Sequence, residues 1–540
     1  MIRQFSLSRW QFSSALIALV LVMPILIMMV ASFGSSGSLF VHLWQSVLPT
    51  YISNTLLLSL YVVILSLCFG IPSAALITQT NIVSESWLRW MLLLPLAMPA
   101  YVVAYLYTDL FDYAGPIQRW LREFFGWQSP ADYSFFDIRS LEGAAVVLAL
   151  VLYPYVYMLA RTAFEHQDRN LLRAGRTLGL NASQTFLKIA LPLARPAIMV
   201  SATLVMMETI ADFATVQYFA VNTLTTAIYD TWLGYGDMAA ANLLASVLMM
   251  FVFFIVVLEQ RSRAKQHHQT NRPTPNKQRI KLNVVQQLLS LAFCWGLVIA
   301  GFWLPFSLLV DMTISNFATS QFSQLITIGI RTLEVAVYAA TISVIIALFL
   351  GLCYRFHQDK LSYWAKVTSG FGYAVPGTVL AMALMATLAP VDHLINDLAV
   401  WLGVKKPGLV LSGTIFAVVF AFIVRFAAIA NGTINSGIDK ISRSLDLAPA
   451  SLGVSRLSAI KQVHLPLLKS SIMVAWLLVF VEAMKELPAV LLLRPFNFET
   501  LSTFVYQLIA DEQLEQGAIG AIFIVLFGLL PIIWLNKSKS

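Results

Sequence analysis

The stretch "RAGRTLGLNASQTFLKIALPLARP", residues Arg173–Pro196, decides the reading of this chain, because a second stretch of the same shape follows it. That second stretch is "LAPASLGVSRLSAIKQVHLPLLKS", residues Leu447–Ser470. Gly179 and Pro192 in the first correspond to Gly453 and Pro466 in the second, each 274 positions further on. Both copies are polar and lie between strongly apolar segments. In the first, Leu171, Ala174 and Leu178 recur at helical spacing. Gly179 can take the left-handed turn that stops a helix, since it has no Cβ. Asn181 is a good N-cap, and Gln184 three residues on completes a capping-box pattern. Phe186 and Ile189 share one face of the next helix, and Pro192 and Pro196 are expected to end the unit and open the following span. The second copy repeats the plan with Gly453 as the stop, Ser455 as the cap, Ile460 and Val463 as the face and Pro466 as the end. The expected shape is two short helices at an angle. One such segment could simply rest on lipid headgroups. Two copies with the same glycine, cap and proline spacing favour docking onto a partner, because a lipid surface needs no defined turn.

The composition places the chain in a membrane. It is 540 residues long, 59% hydrophobic and only 11% charged, whereas soluble domains carry roughly 25% charged residues. A spanning helix needs about 20 apolar residues. Such segments are expected at 12–33, 52–78, 86–107, 143–163, 196–219, 241–259, 286–310, 327–353, 366–389, 408–430, 470–493 and 517–535. The fold class is therefore all-α, a polytopic membrane protein of about twelve helices. The first segment follows Arg3 and Arg9 as a signal peptide would, but its apolar core is too long and "MVASFGSSGS" is a poor cleavage site, so it reads as a retained helix. Cys68, Cys294 and Cys353 are scattered through apolar segments and imply neither disulfides nor a metal site. His267 and His268 are adjacent in a polar linker and read as solvated side chains.

The net charge of +8 is distributed by topology. The loops at 161–195, 260–283, 354–366 and 431–470 carry six, seven, three and five Lys/Arg, while those at 34–51, 220–240 and 311–326 carry none. Lys537 and Lys539 add to the first set. By the positive-inside rule both termini are expected in the cytoplasm, with the acidic loop 108–142 outside. The surplus charge then calls for no nucleic-acid partner.

The two halves match beyond the loops. "NTLLLSL" at 54 faces "RTLEVAV" at 331, "PLAMPAYVVA" around Pro99 faces "GYAVPGTVLA" around Pro376, and "TLTTAIY" at 223 faces "TLSTFVY" at 500. The offset stays at 277 or 274, which marks an internal duplication. The expected domains are a first membrane repeat over 1–259, a basic proline-containing cytoplasmic linker over 260–284 and a second repeat over 285–540. Six spans per half give two parallel six-helix repeats about an axis along the membrane normal, an architecture of transporters.

On these residues the chain resembles the permeases of binding-protein-dependent ABC importers. Their "EAA" loop has a glycine, nine residues, an aliphatic residue, one residue and then Leu-Pro. Here that pattern is Gly179, Ile189, Leu191, Pro192 and again Gly453, Val463, Leu465, Pro466. The resemblance implies that each loop carries a coupling helix seated on a cytoplasmic ATPase, so two ATPase subunits and a soluble substrate-binding protein are the implied partners. It implies a bacterial cytoplasmic (inner) membrane and no cofactor in this chain. The family's Glu-Ala-Ala is replaced by Arg173-Ala174-Gly175 and by Leu447-Ala448-Pro449, so no loop glutamate is available for a salt bridge. Within the family the chain is most similar to fused two-repeat ferric iron permeases, on "METIADFATVQYFAVNTLTTAIYDTW" (207–232) and "VFVEAMKELPAVLLLRPFNFETLSTFVY" (479–506). Permeases for thiamine, phosphonates, sulfate or polyamines share the general plan.

Charges inside the membrane are expensive and are candidates for function. Glu208 and Asp212 stand i, i+4 in the fifth expected span, as do Glu482 and Glu486 in the eleventh with Lys485 beside them. They are candidates for a polar path for a cation, since carboxylates suit hard metal ions. A structural role, with Lys485 as partner, is the alternative, and no metal site is firmly assigned. Arg331 and Glu334 read as a local pair, and Pro99 and Pro376 as kinks. The chain has no G-x-x-x-x-G-K-[ST] phosphate loop and no catalytic cluster, so it is read as a transporter subunit and not an enzyme, with ATP hydrolysis in a partner. The rival class is an ion-coupled secondary transporter, in which the paired loops would have no purpose.

Overall fold

The computed structural model describes residues 9–33, 37–167, 174–175, 177–264, 280–317, 322–451 and 453–537. Among these residues all regular structure is helical, with one isolated bridge between Thr80 and Ile280. Eleven helices are long and apolar enough to cross a membrane, and a bent pair makes a twelfth. In the first half they are α1 (Arg9–Ser32), α2 (Leu48–Gln79), the bent pair Glu85–Ala97 and Ala100–Phe125, whose second arm begins with α3 (Ala100–Phe111), α4 (Leu141–Glu165), α5 (Ala182–Ala211) and α6 (Met238–Val257). The second half has α7 (Val284–Ser315), α8 (Phe322–His357), α9 (Gly377–Trp401), α10 (Ile415–Ile438), α11 (Arg456–Lys485) and α12 (Leu514–Pro531).

The contacts sort the chain into two compact units that are not contiguous in sequence. One comprises Met1–Phe40, Ile228–Met249 and Gln321–Phe504. Within it α8, α10 and α11 pack on one another, and α1 lies on α8, α9 and the short helix Lys360–Thr368. Trp10 of α1 stacks on Phe349 of α8 at 5.6 Å. Gly351 of α8 lies so close to Ile438 of α10 that a Cβ would overlap its side chain, the small-residue contact expected where apolar burial alone does not drive helices together. The other unit comprises Val41–Ala227, Met250–Ser320 and Val505–Ser540. Here α2 packs along α4, α5 packs on both, and the second part of α7 packs on α12. Tyr107 of α3 donates from its hydroxyl to the Ala300 carbonyl of α7 at 2.5 Å. Each unit thus takes in a helix that the duplication assigns to the opposite repeat.

Two expectations about the spans are corrected. The third and ninth are broken, not kinked. Pro99 and Pro376 are N-caps that begin α3 and α9, each after a single 3-10 turn, Leu94–Ala97 and Phe371–Ala374. Proline pushes the residue before it out of helical geometry, and Met98 and Val375 are extended accordingly. In the first half the two arms of the break meet at 90°. The fifth and eleventh spans do not run through to 219 and 493. They stop at Ala211 and Lys485, and short helices Ala214–Tyr218 and Pro488–Leu493 follow.

Candidate functional site

The two motif loops fold by the same local rules. Gly179 has φ +89° and Gly453 φ +73°. In each copy the next amide reaches back five residues, Leu180 N–H to Gly175 O at 3.1 Å and Val454 N–H to Pro449 O at 3.0 Å. This is the hydrogen bond of a glycine-terminated helix end. The next helix is capped as its sequence suggests. Asn181 accepts from the Gln184 amide at 2.8 Å, while the Gln184 side chain accepts from the Asn181 amide. Ser455 accepts from the Ser458 amide at 3.3 Å. Gly175 is buried beneath Ile189. Arg173, Leu171 and Arg176 lie outside the described residues. Ala174, Leu447, Ala448 and Pro449 lie on the helices before each glycine. Leu178, Leu187, Leu447 and Leu457 present exposed apolar surface.

The prolines act differently from expectation. Pro192 and Pro466 do not end the short helices, which continue into α5 and α11 without interruption. A proline cannot donate to the carbonyl four residues back and its ring clashes with it. In both copies the turn before it widens to a π-turn, Phe186–Ala190 and Ile460–His464. The amide before the proline then bonds five residues back, Leu191 to Phe186 and Leu465 to Ile460. The device is one short helix joined rigidly to a spanning helix.

The second loop has an anchor that motif reading missed. Arg355, at the end of α8, donates from Nε to both carboxylate oxygens of Asp446 at 3.0 and 2.9 Å, and from its Nη atoms to the carbonyls of Ile438, Ile441 and Ser442. His464, fully buried in the π-turn, shares a hydrogen bond with Asp446 Oδ1 at 2.7 Å. Burial works against the Asp446 carboxylate, but the bonds from Arg355 and His464 outweigh it and hold its pKa below the ordinary range. The acid next to the altered motif therefore faces inward, tying the loop to α8 and α11. In the first copy the π-turn is held by a neutral bond, Gln167 Nε2 to Ala190 O at 2.7 Å. In sequence Arg355 looks like one more positive charge at a span end, and nothing local pairs it with residue 446.

The candidate path residues separate. Glu208 lies on α5, but Asp212 is past its end in extended backbone, so the expected shared helix face does not exist. Asp212 instead accepts from the amides of Thr215 and Val216 at 3.0 and 3.2 Å and from the Thr215 hydroxyl at 3.0 Å. Glu486 is likewise past the end of α11. It accepts from the Ala489 amide at 3.2 Å and pairs with Arg425 of α10, both contacts at 3.3 Å. Arg425 is thus a cationic partner of Glu486. A lone arginine in the apolar run "FIVRFAA" was the available signal. Glu482 and Lys485 are half-buried on α11. Among the described residues no three of His, Cys, Asp and Glu gather closely enough to hold a metal ion.

The short segments beyond these acids are pinned by matching hydroxyl networks. In the first half the Leu224 amide donates to Thr55, the Thr223 amide to Thr226, and the Thr225 hydroxyl to the Asp212 carbonyl. In the second half the Leu501 amide donates to Thr332, the Thr500 amide to Thr503, and the Ser502 hydroxyl to the Glu486 carbonyl. The duplication seen in "TLTTAIY" and "TLSTFVY" thus extends to individual hydrogen bonds.

Comparison with known proteins agrees with this double architecture. The family described as binding-protein-dependent transport system inner membrane component matches the chain twice, over residues 66–263 and 341–537. The chain is 25% identical over 529 residues to the Fe(3+)-transport system permease protein FbpB 2 of Haemophilus influenzae, covering 97% of this chain and 96% of that one. It is 25% identical over 510 residues to the ferric transport system permease protein FbpB of Actinobacillus pleuropneumoniae, covering 89% and 70%. The molybdenum transport system permease protein ModB of Escherichia coli is 31% identical over 192 residues, 34% of this chain and 78% of that protein. With two matches that together span well over half its length, the chain belongs to the binding-protein-dependent transport system inner membrane component family, as a fused, multi-pass permease carrying both repeats.

Proposed function

We propose that this permease imports ferric iron. A soluble binding protein would deliver the ion at one face, and two ATPase subunits at the opposite face would drive transport through loops 171–192 and 445–466. The observation that carries the substrate is coverage. The ferric permease of Haemophilus influenzae aligns over 97% of the fused chain, whereas the molybdenum permease aligns over 34% of it. The loop geometry supports the ATPase contact. Each capped helix continues through a π-turn into a spanning helix, so a push on the loop moves the span as a lever. In the absence of the family's loop glutamates, the exposed leucines 178, 187, 447 and 457 supply apolar contact. The lysines and arginines of the motif loops and near both termini support a cytoplasmic position for them. Glu482 remains the cleaner candidate for the ion path, since Asp212 and Glu486 are engaged as caps and in an ion pair.

The test is uptake of radiolabelled ferric iron at low external iron, in cells lacking this chain and in cells complemented with it. Uptake restored by the intact chain, and not by one with Gly179→Val and Gly453→Val, supports iron import and loop coupling together. Labelled molybdate in the same cells provides the opposing arm. Restoration of molybdate uptake alone overturns the iron assignment and leaves the permease reading in place.

A further inference from the structure

The segment between α3 and α4 is built inside out for water. Its helix Pro116–Phe125 carries Ile117, Trp120, Leu121, Phe124 and Phe125 at i, i+3, i+4, i+7 and i+8, the stripe that a soluble helix turns to its core. Here Trp120 is 58% and Phe124 68% exposed. The polar face is the one that folds inward. Gln118 is buried, donates to the Phe111 carbonyl at 2.7 Å and accepts from the Tyr133 hydroxyl at 2.6 Å. Arg122 donates to the Tyr113 carbonyl at 2.8 Å and to Tyr133 at 3.1 Å, and lies over the Tyr113 ring. The outer aromatics form a continuous run of ring contacts, Trp120–Phe124 at 5.4 Å, Phe124–Phe125 at 5.0 Å, Phe125–Trp127 at 4.7 Å and Trp127–Tyr133 at 4.7 Å.

We propose that Pro116–Phe125 is an interfacial helix whose aromatic stripe lies in the lipid bilayer at headgroup level, anchoring the broken third span. Three observations select lipid as the occupant. The helix follows Phe111 of α3 after only four residues, so the stripe begins where a membrane helix ends. The composition is that of membrane interfaces, with Trp and Phe on one face and the exposed charges Arg119 and Glu123 flanking them. Residues 265–279, "KQHHQTNRPTPNKQR", also offer no large apolar side chain with which to cover the stripe. The inference does not rest on the iron assignment.

The full chain is placed in nanodiscs of phosphatidylethanolamine and phosphatidylglycerol with a single spin label at position 120, 123 or 124, after replacement of its three cysteines. Collision rates with oxygen, which enriches in lipid, are compared with those of a water-soluble nickel chelate. The proposal expects oxygen to dominate at 120 and 124 and nickel at 123. Nickel dominance at all three positions overturns it, as does low access to both reagents at 120 and 124, which would mean a protein cover. A label-free arm guards against a label that unfolds the helix. Fluorescence of the unmodified chain minus that of Trp120→Phe isolates Trp120, and acyl-brominated lipid should quench this difference. An unquenched difference signal overturns the proposal independently.

Discussion

Arg355→Ala should loosen the second motif loop without disturbing the first. The Arg355 side chain is 9% exposed and binds Asp446 and three backbone carbonyls. Breaking a buried ion pair by removing one partner costs about 3–5 kcal/mol. Asp446 retains 19% exposure and can recover some hydration, so the lower end applies, about 3 kcal/mol. Every 1.4 kcal/mol is a factor of ten, and amide exchange over 438–464 should therefore quicken by about a hundredfold. The assay is hydrogen–deuterium exchange in nanodiscs read peptide by peptide, with 177–190 as the internal control. Asp446→Asn should act in the same direction, and the double variant should be little worse than the stronger single one, because both remove one interaction. The pH dependence follows from the lowered Asp446 pKa. A carboxyl held below its unfolded value of about 3.9 contributes fully above that value and loses its contribution as pH falls through the folded one. The contribution of the Asp446 charge to the Arg355 effect should thus be the same at pH 6 and pH 8. Unchanged exchange over 438–464 would refute the anchor, and equal loosening of both loops would show a global effect instead.

The remaining expectations are as follows. Gly179→Ala and Gly453→Ala meet no atom within 4 Å, so their cost is backbone strain alone, about 1–2 kcal/mol each for a left-handed residue. Membrane levels should hold while ATP-driven uptake falls, and disappearance of the protein from the membrane would contradict this. Thr55→Val and Thr332→Val each leave one buried amide, Leu224 or Leu501, without its acceptor. Each should cost about 1–3 kcal/mol, read as a lower thermal midpoint, and an effect in only one half would break the equivalence of the two networks. Arg425→Met should destabilise by about 3–5 kcal/mol, because it leaves Glu486 buried and unpaired. Arg425→Met with Glu486→Leu should recover much of that loss, and no recovery would mean the pair is not what holds the segment. Glu482→Ala alone should lower iron uptake with normal insertion, and full uptake would remove Glu482 from the ion path.

Much of this protein could be read from local pattern. Apolar run length sets membrane spans because backbone polar groups must be satisfied within each segment, and that rule needs no tertiary information. The turns at Gly179 and Gly453 and the cap at Asn181 were equally legible, since each depends on residues within six positions. The exact helix ends were not. Asp212 and Glu486 read as members of helical i, i+4 pairs, yet each lies past its helix end and caps the next short helix, and Thr55 and Thr332, far off in sequence, bind the segments beyond them. Pro192 and Pro466 read as terminators, but packing keeps the helix and a π-turn absorbs the missing hydrogen bond. Arg355 finds Asp446 across 91 residues, and Arg425 finds Glu486 across 61. The assembly of each unit from both repeats also has no local sign, because an apolar helix such as α1 or α7 is equally soluble in lipid against either. By itself the sequence determined the number and kind of segments, their duplication and their turns. Which charges meet, where helices stop under strain and which helix completes which unit were decided by side chains brought together only in the folded chain.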